Sequence, residues 1–301
     1  MSARSLVQET EAASSEYLVT RLRPLHRHSE IYTIYMVPLN GDYKVSFLAI
    51  GDVHGHWDCV IEAIARARSI LGEVPDLVLQ VGDAEPHRNA EDLAGCRTPK
   101  KHRSLGDFSA LVTGDIQSPV YFIGGNHEPY VALDALPGPF PAPWGDDLSV
   151  YYLGRAGAAI LEDKLKVAWL SGISSAHADP GKRSQSRRAR TYFSPIDVAT
   201  MLRDASRLSE IDVLVTHDWP SVLKPDWGNK VTTELIETIK PTLHVCGHMH
   251  TSYEGKVGDT IVNAMTAVPP VTKNQGRKRG GWWRLYVRDE SGGIRCLAVG
   301  K

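Results

Sequence analysis

The chain has 301 residues, 42% hydrophobic and 23% charged, with a formal net charge of −1 at pH 7. That balance excludes a disordered or fibrous protein, and no apolar run reaches the ~18 residues that a membrane-spanning helix needs. The length allows one large or two small domains.

The first ten residues include Glu9 and have no apolar core, so no secretory leader is expected. Residues 1–20 read as a loose helix or as disordered. Residues 31–37 and 43–50 flank Asn40-Gly41-Asp42, a hairpin signal. Residues 1–43 are therefore read as an N-terminal extension with a possible edge hairpin strand, and 44–301 as a single domain. Apolar, β-branched runs at 44–51, 76–82, 119–124, 165–173, 211–216 and 242–247 are expected to be strands buried on both faces. Between the first two, Val60, Ile61, Ile64 and Ala67 fall at helical spacing within 58–71. Residues 195–208 and 231–240 are further helix candidates, the latter ended by Pro241. After residue 255, short strands at 260–265, 282–287 and 294–299 are expected as antiparallel additions, with a basic loop at 271–281. Strands alternating with helices give an α/β class. Cys59, Cys96, Cys246 and Cys296 are far apart and form no Cys-x-x-Cys pair, which fits a reducing, cytoplasmic setting.

Charge is unevenly placed. Residues 97–103, 182–190 and 273–284 hold 14 of the 34 basic residues and no acid, leaving 20 basic against 35 acidic residues elsewhere. Concentrated positive charge on an acidic body suggests a polyanionic partner, and the surplus of acids suggests a bound metal.

Chemistry collects where strands end. The runs lead into Asp52-Val-His54, Asp83, Gly125-Asn126-His127-Glu128, His217-Asp218 and His248-Met-His250. In open α/β sheets, ligands bind at the carboxyl ends of the strands. One such residue alone is usually a helix cap or a packed histidine; five strand ends delivering metal-competent side chains point to a metal centre.

This succession resembles the calcineurin-like metallophosphoesterase superfamily. The resemblance implies two mixed β-sheets packed as a sandwich flanked by helices, with two divalent metal ions (Mn²⁺, Fe²⁺ or Zn²⁺) at one edge. It implies Asp52, His54, Asp83 and His250 as ligands of the first ion. Asp83, Asn126, His217 and His248 would hold the second, Asp83 bridging. His127 would contact the phosphate and protonate the leaving oxygen, completing a catalytic set with Asp83 and His54. The chemistry is coherent: carboxylate, imidazole and amide donors without thiolate suit such ions. Metals ~3.5–4 Å apart clamp the oxygens of an in-line displacement and bring the pKa of a coordinated water to about 7. A placed acid adds ~10²–10⁴-fold for a poor alkoxide leaving group.

Within the superfamily, the stretches from Gly82 to Leu93 and from Thr98 to Phe108 resemble RNA lariat debranching enzymes, as do Tyr121–Glu128, Val150–Gly154, Leu170–Ile173 and His217-Asp218-Trp219-Pro220. The resemblance covers roughly residues 45–255. Debranching enzymes familiar from eukaryotes carry Cys where this chain has Asp52, and their long C-terminal domain is absent or reduced to strands 260–301. The Ser/Thr phosphatase branch shares Gly51-Asp-Val-His-Gly55 and Gly-Asn-His-Glu, but expects Gly-Asp-x-x-Asp-Arg-Gly where this chain reads Gly-Asp-Ala-Glu-Pro-His-Arg.

Together these readings imply a dinuclear phosphodiesterase of RNA or another nucleic acid, with 2′,5′ linkages as a candidate, and with neither a membrane nor an obligate protein partner. Lys100 and Lys101 would line the rim of the site. Arg88 and Asn89 would grip a phosphate and a ribose, and Trp219 would stack a base. Trp282 and Trp283 adjoin Arg284, and strand alternation would put one of the two rings in the core. The alternatives are a phosphoesterase of small nucleotides, phosphomonoesters or phosphoproteins, and an inactive metal-binding scaffold.

Overall fold

A computed structural model describes residues 33–34, 43–98, 103–146, 148–175, 186–223, 227–268 and 280–300. In chain order its strands are β1 (Thr33–Ile34), β2 (Tyr43–Ile50), β3 (Leu77–Gln80), β4 (Val120–Phe122), β5 (Ala142–Pro143), β6 (Val150–Tyr152), β7 (Ala156–Leu161), β8 (Leu165–Leu170), β9 (Val213–Thr216), β10 (Leu243–Cys246), β11 (Tyr253–Val257), β12 (Thr260–Ala264), β13 (Trp283–Asp289) and β14 (Ile294–Val299). The helices are α1 (Asp58–Leu71), α2 (Ala90–Gly95), α3 (Tyr130–Leu133), α4 (Arg187–Arg190), α5 (Pro195–Ala205) and α6 (Lys230–Ile239).

Among the described residues the strands form two sheets, ordered β1-β14-β13-β2-β3-β4-β6-β5 and β11-β12-β10-β9-β8-β7. Both are mixed: β2, β3, β4 and β6 run parallel in the first, and β8, β9, β10 and β12 in the second. The double-sided apolar runs explain the layering. β2 feeds Phe47 and Ala49 to one core and Leu48 and Ile50 to another. The first of these cores lies between the sheets and takes Leu79, Trp169, Val215 and Val245. The second packs the β2 sheet against Val60, Ile64 and Ala67 of α1. A third packs the β10 sheet against Met201 of α5 and Leu235 and Ile236 of α6. The result is two sheets face to face with helices outside, as expected.

Local signals set the helix limits. The Asp107 carboxylate accepts from the N–H groups of Trp57 (2.6 Å) and Asp58 (3.2 Å), capping α1 from a distant loop. Ser194 and Asp197 form a capping box at the start of α5, and Asn229 caps α6.

At the N-terminal side, β1 pairs antiparallel with β14 at the edge of its sheet, and Asn40-Gly41-Asp42 lies outside the described residues. Two expectations change. The strand at 260–265 is not purely antiparallel, since β12 runs parallel to β10 and antiparallel only to β11. The chain also forms β5, β6, β7 and β11 where no strand was expected. β7, Ala-Gly-Ala-Ala-Ile-Leu, lies at a sheet edge and carries little of the β-branched signal of a central strand.

Candidate metal centre

The carboxyl ends of β2, β3, β4, β9 and β10 converge at one edge of the sandwich. Asp52, His54, Asp83 and His250 bring one ligand atom each within 4.8 Å of one another, and Asp83, His217 and His248 do the same. The two groups share Asp83. Asn126 joins the second through Oδ1, 3.3 Å from His217 Nε2. The structure thus brings all seven of these residues together at one edge.

The backbone is shaped for this convergence. Among the described residues, five of the nine non-glycine residues in the left-handed region belong to the site: His54 (φ 47°), Asp83 (52°), Glu85 (46°), His248 (68°) and His250 (47°). Such conformations cost about 1–3 kcal/mol each and persist where surrounding structure enforces them. Two glycines admit the carboxylates. A Cβ on Gly247 would lie 2.1 Å from Asp52 Oδ1, and one on Gly125 2.2 Å from Asp83 Oδ1. Asp52 is fully buried and accepts from the His248 N–H at 3.1 Å through both oxygens. Asp83 Oδ1 accepts from the N–H groups of Asn126 (2.7 Å) and His127 (2.9 Å).

The hydrogen bonding shows that the donors fit cations. His217 Nδ1 lies 2.9 Å from the Val81 carbonyl, which only accepts, so Nδ1 carries its proton. Its Nε2 then faces Asp83 Oδ2 at 3.4 Å. His54 Nδ1 likewise donates to Glu85 Oε1 at 2.9 Å, leaving Nε2 against His250 Nε2 at 3.0 Å. Acceptors aimed at acceptors need a proton or a metal ion between them, and imidazoles held from behind in this way are the usual support of metal-ligating histidines. The electrostatics agree. Burial opposes charge on His217, but Asp83, first by its charge, raises it to about 10. Burial likewise opposes charge on His54, and Glu85, Asp83 and Asp52 raise it to about 9. Burial and the charge of His217 hold His248 down. Burial would raise Asp83, yet His217 and His127 hold it well below the carboxylate range. Glu128, buried behind it, is pushed well above by burial and by Asp83.

His127 stands at the mouth of this group, with Nε2 3.9 Å from Asp83 Oδ2 and its ring 5.4 Å from that of His54. The sequence did not single out the residues behind it. Glu85, His87 and Thr98 are buried. Thr98 Oγ1 lies 3.1 Å from His127 Nδ1. Glu85 and His87 sat inside the debranching-like stretch, and an acid two residues after Asp83 was the available signal.

The expected substrate residues fare differently. Trp219 is fully buried, donates from Nε1 to the Gly247 carbonyl at 2.6 Å and packs in the third core, so it presents no ring to a base. Asn89 is the cap of α2, its Oδ1 accepting from Glu91 and Asp92, which explains it without a ribose. Arg88 forms a two-pronged ion pair with Asp92 (2.8 and 3.0 Å) over the Trp144 ring, with 39% of its side chain exposed. Trp282 and Trp283 are both buried in the α1 core; Trp282 precedes β13, so strand alternation does not apply to the pair. Lys100 and Lys101 lie outside the described residues. Arg188 donates to Tyr192 Oη at 3.1 Å, and that bond, with the charges of Arg188 and then Arg97, lowers the tyrosine against the opposing effect of burial.

Residues 45–252 match the calcineurin-like phosphoesterase family. The chain belongs to that family. Among curated proteins, this phosphoesterase is similar to a lariat debranching enzyme of Caenorhabditis elegans, 34% identical over 210 residues that cover 64% of this chain and 40% of the relative. It is similar also to the lariat debranching enzyme of Entamoeba histolytica, 28% identical over 244 residues, 70% of this chain and 65% of the relative. The chain thus spans roughly half the length of the curated relatives it matches. The crystal structure of the Thermus thermophilus protein TT1561 shares the fold, with a TM-score of 0.51 at 11% identity over 84% of this chain and 97% of that one.

Proposed function

We propose that this phosphoesterase is a dinuclear metal-dependent phosphodiesterase of RNA or another nucleic acid, with the 2′,5′-phosphodiester of a branched RNA as its candidate substrate. The observation that carries the reading is the pair of ligand groups sharing Asp83, with His127 beside them. Asp52, His54, Asp83 and His250 would hold one ion; Asp83, Asn126, His217 and His248 the other. Donors without thiolate favour manganese, iron or zinc. When bound, such a pair polarises the phosphoryl oxygens and supplies the nucleophile at neutral pH. The chain's own residues do the rest. His54 and His217 are locked in orientation by Glu85 and Val81. Asp83 is fixed by two backbone N–H groups. His127, whose Nε2 lies 3.9 Å from Asp83 Oδ2, would protonate the leaving oxygen.

A nucleic-acid substrate is supported by the similarity to lariat debranching enzymes and by the positive charge near the site. Thr98, which reaches His127, directly follows the exposed Arg97. Arg97 and Arg188 act on the same tyrosine. A small nucleotide is the second reading, favoured by the engagement of Trp219 and Asn89 within the fold. Free Cys59, Cys96, Cys246 and Cys296 support a cytoplasmic setting.

The test is hydrolysis of a 2′,5′-branched RNA beside a matched linear 3′,5′ RNA by manganese-loaded protein. Preference for the branch is expected. Turnover of a chromogenic phosphodiester or of nucleotides without cleavage of either RNA would overturn the nucleic-acid reading.

A further inference from the structure

We infer that the cavity between β12 of one sheet and β13 of the other binds an uncharged nucleobase-like heterocycle, a planar ring that carries a hydrogen-bond donor beside an acceptor. This site is separate from the metal centre and does not depend on the activity proposed there.

The cavity has a volume of about 180 Å³ and is lined by apolar Leu243, Ile261 and Ile294 and by polar Asn263, Tyr286 and Glu254. Tyr286 pairs with Phe47, five residues before Asp52, and Asn263 pairs with Val245, three before His248. At about 3.3 Å per residue along a strand, the cavity lies roughly 10–17 Å short of the metal edge.

An amide in this place is the anomaly. Ile261 and Met265, on the same face of β12, belong to the apolar layer between the sheets, and Asn263 alternates in step with them. Asn263 is 2% exposed. Its Nδ2 donates to Tyr286 Oη at 2.8 Å, but Oδ1 has no hydrogen-bond partner among the described residues. Buried polar groups of native proteins are partnered, and an exception calls for a reason. Tyr286 is also buried, and its ring is stacked on Phe47 with centroids 5.1 Å apart, which fixes the hydroxyl beside the amide.

Proton counting gives the pattern of the ligand. With Nδ2 donating to Oη, the pair offers the Oδ1 acceptor and the tyrosine O–H donor. With the amide turned over, the tyrosine O–H donates to Oδ1, and the pair offers an N–H donor and the Oη acceptor. Either way one donor stands beside one acceptor. The complementary edge is N–H beside C=O, as in uracil, or a ring nitrogen beside an amino group, as in adenine. The apolar lining suits the faces of such a ring. Leu243 and Ile261 stand in register on neighbouring strands and form one wall, and Ile294 lines the cavity from the other sheet.

Size and charge narrow the class. Sites for drug-sized ligands span about 300–1,000 Å³, so a volume of about 180 Å³ takes a base and not a whole nucleotide. The charges at the rim cancel: Arg284 Nη1 donates to Glu254 at 2.9 Å, and the Glu254 side chain is 59% exposed. A phosphate would meet that carboxylate at the mouth, whereas a neutral ring meets no net charge.

The experiment is titration of the full chain with uracil and with adenine, read by ¹H–¹⁵N NMR at the Asn263 side-chain amide, which Asn263→Leu identifies by its loss. Both bases should shift that signal saturably, with a Kd at or below about 1 mM. Pyrimidine, a ring of the same size without N–H groups, should bind at least about tenfold more weakly, because the buried amide and hydroxyl would go unpaired. Asn263→Leu and Tyr286→Phe should each weaken uracil binding by a similar factor, read by saturation transfer to the ligand protons; if Asn263→Leu does not unfold cooperatively like the wild type, Tyr286→Phe carries the test. A phosphorothioate-linked hexauridylate, which resists hydrolysis, distinguishes the sources of the base. Displacement of uracil by the oligonucleotide would assign the site to a base of an RNA strand, and displacement by uridine alone to a free base or nucleoside; both support the inference. An Asn263 amide unmoved by either base, pyrimidine bound as tightly as uracil, or uracil binding unchanged by the variants would overturn it and leave the cavity to water.

Discussion

Replacing Gly247 by alanine tests whether the ligand geometry is set by the backbone approach beneath Asp52. The added Cβ would sit 2.1 Å from Asp52 Oδ1 and 2.9 Å from Val81 Cγ2, where ordinary contact begins at 3.4 Å. The carboxylate must retreat by more than an ångström. It has little freedom to do so, being fully buried and tied to the His248 N–H through both oxygens. Metal–ligand distances tolerate only about ±0.2 Å, and a misplacement of about 1 Å in a catalytic group can cost ~10²-fold in rate. Gly247→Ala should therefore lose the ion that Asp52, His54 and His250 would hold and retain the one that His217 and His248 would hold. Elemental analysis after dialysis should fall from two ions per chain to one. Hydrolysis of a chromogenic phosphodiester should drop about 100-fold, and overpacking should lower stability by about 1–3 kcal/mol. Gly258→Ala is the control. It lies at φ 60° with nothing within 4 Å of its Cβ, so it should be strained by about 1–2 kcal/mol and leave both ions in place. Two ions and wild-type turnover in Gly247→Ala would refute the reasoning.

Three further outcomes follow. His244 is fully buried, with Nε2 2.8 Å from Thr216 Oγ1 and Nδ1 without a hydrogen-bond partner, and burial lowers it from 6.5 to about 3. Between those values the unfolded chain binds more protons than the native one. The residue's contribution is thus present above pH 6.5 and is lost as pH falls toward 3, at a slope approaching about 1.4 kcal/mol per pH unit; urea unfolding of His244→Gln should show a shallower acid decline than wild type, and equal declines would refute it. Charge reversal of Arg97 and Arg188 should weaken RNA binding and reduce the slope of log affinity against log salt by about one per lost phosphate contact; an unchanged slope would remove this face from the interface. Trp219→Phe removes the bond to the Gly247 carbonyl and should lower stability by about 1 kcal/mol in denaturant unfolding while leaving the KM for RNA unchanged; a raised KM at wild-type stability would return Trp219 to the substrate.

The metal centre was legible because its signals are covalent neighbours of strand ends. Asp52, Asp83, Asn126, His217 and His248 each follow a run whose burial on both faces is visible as unbroken apolar sequence. A parallel sheet delivers such residues to one edge wherever the intervening loops go. The substrate residues were less legible because their roles depend on which way a side chain turns. Asn89 and Trp219 stand beside ligand-bearing strands in sequence, yet one closes a helix end and the other fills the core under Gly247. Glu85 and Thr98 were missed for the converse reason: they are 13 positions apart, and only the left-handed turn at Glu85 and the brace from Arg103 bring them together.

At position 52, where the resemblance to debranching enzymes implies a cysteine, this chain carries an aspartate. The surrounding structure is fitted to a carboxylate. Its oxygens accept from the His248 N–H, and Oδ2 lies 3.0 Å from His250 Nε2, so a single group orients two ligands of the β10 loop. A lone sulfur would accept such bonds weakly. No other thiol can supply soft character among the described residues. Cys246, two residues before His248, points to the opposite face of β10 and packs in the third core, where burial pushes its thiol well above the usual range. Cys96 is buried behind Glu85 and His87, and burial raises it too. The donor set is therefore carboxylate, amide and imidazole throughout. Such a set suits divalent cations such as manganese, iron or zinc. The hydrogen bonding around position 52 thus fits a carboxylate better than a thiolate.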